Sequence, residues 1–216
     1  MAYNCILFDL DGTLLNTNTL VLESFRYTFK KHLGREVSDE ELYPYFGVPL
    51  VDIMKVFDPD QVEEMIHTYR TFNQEKHDEL TTLFPGVRET LTELRKKGIK
   101  MAVVTSKIRK VALKGLRLFS LDRFFDALIA FEDTEAHKPN PAPINRAMEI
   151  LNHPAKRKVL MVGDSPFDIQ CAVNAGVGSA AVKWSVHGIE TLRRYKPDLV
   201  LSEFRDLVKI TTAKGD

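Results

Sequence analysis

Short apolar runs alternate along the chain with longer stretches in which apolar positions return every three or four residues. The short runs predict strands at residues 4–8, 99–104, 128–130, 159–162, 179–182 and 199–200. Beyond residue 86, the longer stretches predict helices at residues 87–97, 109–119, 143–151 and 167–175. Strands that alternate with helices are typical of a parallel sheet covered on both faces. The pattern therefore predicts an α/β fold.

Residues 16–84 break this alternation, because they contain helical patterns and no strand pattern. A helix is predicted over residues 19–33, and the apolar spacing up to Phe72 predicts a second long helix. The simplest account is an all-helical cap inserted into an α/β core that consists of residues 1–15 and 85–216. Open α/β sheets bind ligands at the carboxyl ends of their strands, so we expect the cap to cover that edge.

Two helix starts in this segment carry N-terminal signals. Ser38 and Glu41 have the spacing of a capping box, which predicts a short helix there. Asp58, Pro59 and Gln61 fit the N-cap, first and third positions of the longer helix. We therefore expect the longer helix to begin at Pro59.

The composition is that of a globular protein without a dominant charge. Apolar residues make up 44% of the 216 positions, and 30 basic side chains balance 30 acidic ones. Proteins that bind nucleic acid or anionic membranes are more often strongly basic. Neither partner is expected, and an anion site in this chain must be a local arrangement.

The first residues and the cysteines indicate a cytoplasmic protein. No basic region precedes the first apolar run, and Asp9 and Asp11 interrupt that run, so no signal peptide is predicted. No apolar stretch reaches the length of a membrane span. Cys5 and Cys171 lie in apolar patterns and suggest no disulfide framework, so we expect two buried thiols.

Four polar clusters follow or adjoin the predicted strands. They are residues 9–14, residues 105–106, residues 138–141 and residues 163–168. Taken singly, they have ordinary interpretations: a hydrogen-bonded turn, a helix N-cap, a surface lysine and a capped helix start. Taken together, they bring carboxylates, a hydroxyl and an ammonium to one edge of a sheet, which is what a phosphoryl group requires. The oxygen donors of Asp9, Asp11 and Asp164 suit Mg²⁺.

The order DLDGTLL, VVTSK, HKPNP and GDSPFD resembles the four motifs of the haloacid dehalogenase-like hydrolase superfamily, over essentially the whole chain. The resemblance implies a Rossmann-like core with a helical cap inserted after the first motif. It implies that Asp9 attacks phosphorus and becomes an aspartyl phosphate. Asp11 would protonate the leaving oxygen and then deprotonate the attacking water, while Thr105 and Lys138 would hold the phosphoryl oxygens.

The same resemblance implies a magnesium site. Mg²⁺ would bind Asp9, the backbone carbonyl of Asp11, and Asp164. Asp168 would support the metal shell, directly or through water. Members that cleave carbon–halogen or carbon–phosphorus bonds lack an aspartate at the position of Asp11, so its presence here resembles the phosphatases and phosphomutases.

A closer resemblance extends into the cap. The segments LLNTN, YRTFNQEKHDEL, TSKIR, KGL, LDRFFD and MVGDS are similar to those of the PpaX-type inorganic pyrophosphatases. This likeness implies that the small phosphorylated substrate is pyrophosphate. A small phosphate ester, such as phosphoglycolate, or a broad set of esters is the alternative substrate. A phosphomutase, or a non-catalytic regulator that binds phosphate groups, fits the motifs less well.

Pyrophosphate carries a second phosphate that also needs cations. Ser106, Lys107 and Arg109 follow the VVTSK strand and are the first candidates to bind the substrate. Arg70 and His77 share one face of the predicted cap helix and are the second candidates. The alternative for that face is an ordinary solvated polar surface.

Overall fold

The computed structural model describes residues 3–211. The chain divides into two compact units. One unit, the core unit, is formed by the segment that ends at Leu15 and the segment that begins at Leu83. The other, the helical unit, is Asn16–Thr82.

The strands of residues 3–211 form a main sheet and a small ribbon. They are β1 (Cys5–Phe8), β2 (Leu15–Asn16), β3 (Thr82–Leu83), β4 (Lys100–Val104), β5 (Ala127–Ile129), β6 (Val159–Gly163), β7 (Gly178–Val182) and β8 (Leu199–Leu201). The main sheet has the order β5-β4-β1-β6-β7-β8, and all of its neighbouring strands run parallel. The prediction of an α/β fold with a parallel sheet is therefore confirmed.

Residues 3–211 contain ten α-helices. They are α1 (Asn18–Leu33), α2 (Asp39–Leu42), α3 (Leu50–Phe57), α4 (Val62–Leu80), α5 (Val87–Lys96), α6 (Arg109–Leu118), α7 (Ala142–Ile150), α8 (Pro166–Ala175), α9 (Ile189–Arg193) and α10 (Asp206–Lys209). Among residues 3–211, no helix combines the length and the apolar character that a bilayer crossing demands.

Each residue of β1 is buried, because the sheet is covered on both faces. Ile6 and Phe8 point to one face, where they join an apolar cluster that includes Leu91 of α5 and Leu116 of α6. The alternate residues of β1 point to the other face, towards α7 and α8. Side chains alternate between the faces of a strand, so a continuous apolar run is what a strand buried on both sides requires.

Both cysteines lie on the second of these faces. Cys5 and Cys171 are buried free thiols. Burial raises the pKa of each thiol to about 12. The prediction of two core thiols is confirmed.

The helical unit is held together mainly by α1 and α4. The ring of Phe25 in α1 lies 4.8 Å from that of Tyr69 in α4. Phe29, also in α1, stacks on Phe57 at the end of α3 with ring centroids 4.2 Å apart. Rings at these distances add to the burial of apolar area, and they fix the contacts among the three helices.

One predicted helix start is confirmed and another is wrong. The Ser38 hydroxyl accepts a hydrogen bond from the Glu41 N–H at 3.3 Å and caps α2 as expected. Asp58, however, ends α3 instead of beginning α4. Its carboxylate accepts from the Asp60 N–H at 2.9 Å, and α4 begins only at Val62. Asp58 caps a turn between two helices, and its local sequence is similar to that of a helix N-cap.

Two further elements of this region were not predicted. One is α3, whose eight residues follow Pro49 without a capping side chain. The other is the ribbon formed by β2 and β3, which have two residues each. Strands of two residues have no period that a sequence pattern could reveal.

Candidate active site

Three of the predicted site residues follow neighbouring strands directly. Asp9 follows β1, Thr105 follows β4, and Asp164 follows β6. Strand β1 lies between β4 and β6 in the parallel sheet. The carboxyl ends of parallel strands lie at one edge, so the sheet brings the three residues together, and all three are at least nine-tenths buried.

Lys138 joins this group from the loop before α7. Its Nζ lies 2.6 Å from Oδ1 of Asp9 and 2.6 Å from Oδ1 of Asp168. It also donates to the backbone carbonyl of Val104 at 3.3 Å. The side chain is only 6% exposed, and a buried charge is tolerated only when it is paired. Lys138 is therefore part of the site and not a surface lysine.

The charges of this site act on one another strongly. Burial raises the pKa of Asp9 to about 7, and Asp168 and Asp11 add to that rise while Lys138 opposes it. Burial lowers the pKa of Lys138, but the carboxylates of Asp168 and Asp9 more than compensate and raise it overall. A contact of 2.6 Å to an ammonium favours the charged carboxylate, so we take Asp9 to be ionised beside Lys138.

Asp164 is held in place by the loop that follows β1. The Thr13 hydroxyl donates to Oδ1 of Asp164 at 3.0 Å. Gly12 has a φ of +79° and lies so close that a Cβ there would collide with the Asp164 carboxylate. Burial, followed by the charges of Asp9 and Asp168, raises the pKa of Asp164. Only glycine meets both the conformational and the spatial demand at position 12.

Asp168 uses both of its carboxylate oxygens within the protein. Oδ1 accepts from Lys138, and Oδ2 accepts from the backbone N–H of Ser165 at 3.0 Å and from its hydroxyl at 2.6 Å. The Ser165 hydroxyl accepts in turn from the Asp168 N–H, which completes a capping box at the start of α8. Asp168 thus positions Lys138, and its support of a metal stays a prediction.

Asp11 forms an ion pair with Lys107. The Nζ atom of Lys107 lies 2.5 Å from Oδ1 of Asp11, and both side chains are partly buried. The sequence predicted separate roles for the two residues, as an acid–base catalyst and as a substrate contact. The structure places them side by side.

The loop after β4 contains the hydroxyls of Thr105 and Ser106, and it leads to Arg109 at the start of α6. The Thr105 hydroxyl accepts from the Lys107 N–H at 3.1 Å, so its own proton is oriented away from that bond. Ser106 is half-buried beside it. Arg109 instead forms an ion pair with Asp133 and donates to the backbone carbonyl of Leu128 at 3.0 Å. Its charge already has a partner in the protein.

The candidates in the helical unit differ in their exposure. Arg70 is exposed, whereas His77 is buried and its Nδ1 lies 2.7 Å from Oδ1 of Asp78. Asn73, which lies between them in sequence, is buried and donates to the Ser24 hydroxyl at 3.1 Å. The polar positions of α4 therefore do not form one solvated face.

The buried acids are suited to a divalent metal ion. Asp9, Asp164 and Asp168 each offer a carboxylate oxygen, and these oxygens lie within 4.8 Å of one another. Carboxylate oxygens are the ligands that Mg²⁺ and related hard cations bind. A divalent cation would also offset the mutual repulsion of these acids. The donor set therefore fits such an ion.

Sequence reasoning missed several residues that shape the site. Thr13 and Gly12 lie inside a motif, but the sequence indicated no contact with Asp164. Gly163 lies against Asp168, whose side chain a Cβ would hit. Ser185 follows β7 and donates from its hydroxyl to the backbone carbonyl of Asp164 at 2.5 Å. Its segment has no recognisable motif, so no signal in the sequence could have revealed this contact.

Comparisons with known proteins identify the family of this chain. Residues 6–182 match the family model of the haloacid dehalogenase-like hydrolases. A pyrophosphatase PpaX of Halalkalibacterium halodurans is 44% identical to this chain, and the match covers 100% of both chains. A pyrophosphatase PpaX of Bacillus mycoides is 43% identical, with 97% of each chain covered.

Solved structures share the fold. A haloacid dehalogenase-like hydrolase of Streptococcus pneumoniae superposes with a TM-score of 0.85 at 25% identity, over 96% of this chain and 97% of that one. A predicted phosphoglycolate phosphatase of Haemophilus somnus gives 0.86 at 26% identity, with the same coverage. The family model and the similar sequences establish that this chain belongs to the haloacid dehalogenase-like hydrolases.

Proposed function

We propose that the protein hydrolyses inorganic pyrophosphate to phosphate in the cytoplasm, with Mg²⁺ as its cofactor and Asp9 as its nucleophile. The ion pair between Lys107 and Asp11 is the observation that carries the choice of pyrophosphate. The names of the two pyrophosphatase relatives support the same substrate.

The reaction divides into two displacements at phosphorus. An oxygen of the Asp9 carboxylate bonds to the phosphorus, and the bond from phosphorus to the bridging oxygen breaks. Lys107 moves from Asp11 to the leaving phosphate, so that Asp11 carries a proton at this step and gives it to that phosphate. A water molecule then attacks the phosphorus of the aspartyl phosphate. Asp11 takes a proton from that water, the bond to Asp9 breaks, and a second phosphate is released. Nucleophilic catalysis of this kind replaces one difficult step by two easier ones.

The remaining core residues hold the transferred group. The Lys138 ammonium contacts Asp9 at 2.6 Å and can neutralise charge on the phosphoryl oxygens. The hydroxyls of Thr105 and Ser106 lie in the loop after β4 and can donate to the same oxygens. Asp168 keeps Lys138 in this position.

Asp9, the backbone carbonyl of Asp11, and Asp164 are the proposed ligands of Mg²⁺, with Asp168 in support. When bound, the ion neutralises negative charge on the transferred phosphoryl group. This assignment rests on the donor chemistry of the buried acidic cluster and on the resemblance to the family for the Asp11 carbonyl.

The placement of Lys107 suits a leaving group that is itself an anion. To give up its proton, Asp11 must come within about 3 Å of the leaving oxygen. Lys107 Nζ is 2.5 Å from Asp11, so it lies near any phosphate that leaves from that point. An ammonium there stabilises a departing phosphate and offers nothing comparable to an apolar organic group.

The other cations have weaker support as substrate contacts. Arg109 is paired with Asp133, so we now expect it to brace the loop after β5. Arg70 is exposed and His77 is buried in the helical unit, and both stay predictions that alanine variants would test.

A substrate panel tests the proposal. Lys107→Ala should lower kcat/KM for pyrophosphate by about ten- to a hundredfold, the loss of one charge-assisted contact, and should lower it much less for nitrophenyl phosphate. Lys110→Ala serves as the matched control, because Lys110 is an exposed lysine on α6. Equal losses on both substrates would contradict our placement of the second phosphate.

A small-ester phosphatase is the second candidate. The structural similarity to the predicted phosphoglycolate phosphatase of Haemophilus somnus favours it. The wild-type enzyme would then show a higher kcat/KM for phosphoglycolate than for pyrophosphate in the presence of Mg²⁺. No turnover of either substrate would contradict both candidates.

A further inference from the structure

The loop after β7 lies outside the four sequence clusters, yet it contacts one of their acids. The Ser185 hydroxyl lies 2.5 Å from the backbone carbonyl oxygen of Asp164. A carbonyl oxygen only accepts hydrogen bonds, so Ser185 is the donor. The contact joins the loop after β7 to the first residue after β6.

The direction of this hydrogen bond is set by the loop itself. The Ser185 hydroxyl oxygen accepts from the backbone N–H of His187 at 3.1 Å. The Gly188 N–H closes the same turn by donating to the Ser185 carbonyl at 3.2 Å. With an N–H on its acceptor side, the hydroxyl directs its single proton towards Asp164.

Asp164 is thus restrained from two loops. Thr13, in the loop after β1, donates to Oδ1 of its side chain at 3.0 Å. Gly12 of the same loop leaves no space for the carboxylate to move towards it. Ser185 acts on the backbone carbonyl of Asp164 from the loop after β7, the strand that neighbours β6. Removing Ser185 would therefore take away the hydrogen bond to the backbone carbonyl and leave the restraint on the side chain.

We propose that Ser185 is a positioning residue for the divalent metal ion, acting through the backbone of Asp164. The inference rests on the proposed use of Mg²⁺. Residues that orient metal ligands through hydrogen bonds typically contribute about ten- to a hundredfold in metal affinity. Ser185 acts on one ligand and through the main chain, so Ser185→Ala should raise the Kd for Mg²⁺ by about tenfold.

The test measures Mg²⁺ binding to the full chain by isothermal titration calorimetry. Ser185→Ala should weaken binding, and Ser185→Thr should restore it because threonine keeps the hydroxyl. The Mg²⁺ concentration for half-maximal activity should rise in parallel in the alanine variant. Trp184, the only tryptophan of the sequence, precedes Ser185 and provides an optical signal for the same titration.

Ser179→Ala is the matched control. Ser179 lies on β7 and bonds from its hydroxyl to Oδ2 of Asp198 at 3.0 Å, away from Asp164. Its removal should lower Tm and leave the Kd for Mg²⁺ unchanged. A similar rise of Kd in both alanine variants would mean general loosening of β7 and would overturn the inference.

Other outcomes separate this inference from the proposed function. An unchanged Kd in Ser185→Ala, with the wild type binding Mg²⁺, would overturn the role of Ser185 alone. If the wild-type protein binds Mg²⁺ but does not cleave pyrophosphate, the proposed substrate is wrong. The comparison of Kd values between the variants still tests the role of Ser185. A wild-type protein that binds no Mg²⁺ would overturn the inference together with the metal assignment.

Discussion

The core unit and the helical unit both bury polar side chains, but of different kinds. In the core unit, the buried polar residues around the candidate site include three carboxylates and three hydroxyls: Asp9, Thr13, Thr105, Asp164, Ser165 and Asp168. In the helical unit, the buried polar residues are uncharged or weakly basic: Thr17, Ser24, Thr28, Thr68, Asn73, His77 and Thr81. The first set contains the buried acids, whereas the second contains none.

The buried acids indicate that the core unit contains the active site, whereas the neutral polar groups of the helical unit support its fold. Buried carboxylates are costly to fold, because each loses its hydration and repels its neighbours. In the helical unit, Asn73 donates to the Ser24 hydroxyl and Ser24 donates to the Leu20 carbonyl, so these neutral groups form hydrogen bonds between and within helices. We therefore expect substitutions in the core cluster to act mainly on activity, and those in the helical unit mainly on stability.

Asp9→Asn should give the largest effect. The amide is nearly the same size but a poor nucleophile, so turnover should fall by at least about 10⁴-fold. Lys138 keeps Asp168 as its partner, and one of three mutually repelling buried carboxylates is neutralised, so Tm should stay equal or rise. Activity and thermal unfolding are measured on the same preparation, after mass spectrometry has excluded deamidation. Activity near the wild-type level would refute the assignment of Asp9 as the nucleophile.

Removal of the metal should be almost as severe. EDTA should abolish activity, and added Mg²⁺ should restore it, because the acidic cluster has only oxygen donors. Asp164→Ala should raise the Mg²⁺ requirement or end activity. Full turnover in rigorously metal-free buffer would show that the cluster serves the fold instead.

Asp11→Asn should have an intermediate effect. Loss of a general acid–base group typically slows a reaction by about 10²–10⁴-fold. Nitrophenyl phosphate, whose leaving group needs little protonation, should suffer less in the first displacement. Pre-steady-state measurements that isolate this step provide the comparison. An identical loss for good and poor leaving groups would contradict the acid role.

Asn73→Ala should have the smallest effect on chemistry. It removes the donor to a buried hydroxyl between α1 and α4, which should lower the free energy of unfolding by about 1–3 kcal/mol. The kcat for nitrophenyl phosphate should stay near the wild-type value. Glu75→Ala, at an exposed position of the same helix, is the control. A large loss of kcat without a loss of stability would break the distinction between the two units.

The sequence was most informative where a physical constraint is local. A strand buried on both faces must be apolar throughout, so the prediction of residues 159–162 differs from β6 by only its last residue, Gly163. An acid that directly follows such a strand is conspicuous, which is why Asp9 and Asp164 could be found. The family motifs added Lys138, whose contact with Asp9 spans 129 positions.

The sequence was least informative where a partner is distant or a signal has two meanings. Asp58 fits a helix start as well as a turn, and only its extended backbone in the structure shows that a helix ends there. Arg109 fits an anion ligand by its sequence position, but in the structure it forms an ion pair with Asp133. Ser185 donates to the backbone carbonyl of Asp164. Every residue has a backbone carbonyl, so the sequence pattern cannot predict which one a serine will contact.

The central place of β1 in the sheet has a consequence for the order in which the protein is built. Cys5 pairs with Lys100 on one side and with Val159 on the other. During synthesis, β1 therefore leaves the ribosome long before β4 and β6 have been made. Helices α1 and α4 are both complete by residue 80, so their contacts can form before those of β1. Contacts between residues distant in sequence form later than local contacts. The helical unit should therefore fold before β1 pairs with its neighbours and brings Asp9 into the site. Pulsed hydrogen exchange during refolding would show this as protection of the α1 and α4 amides before those of β1.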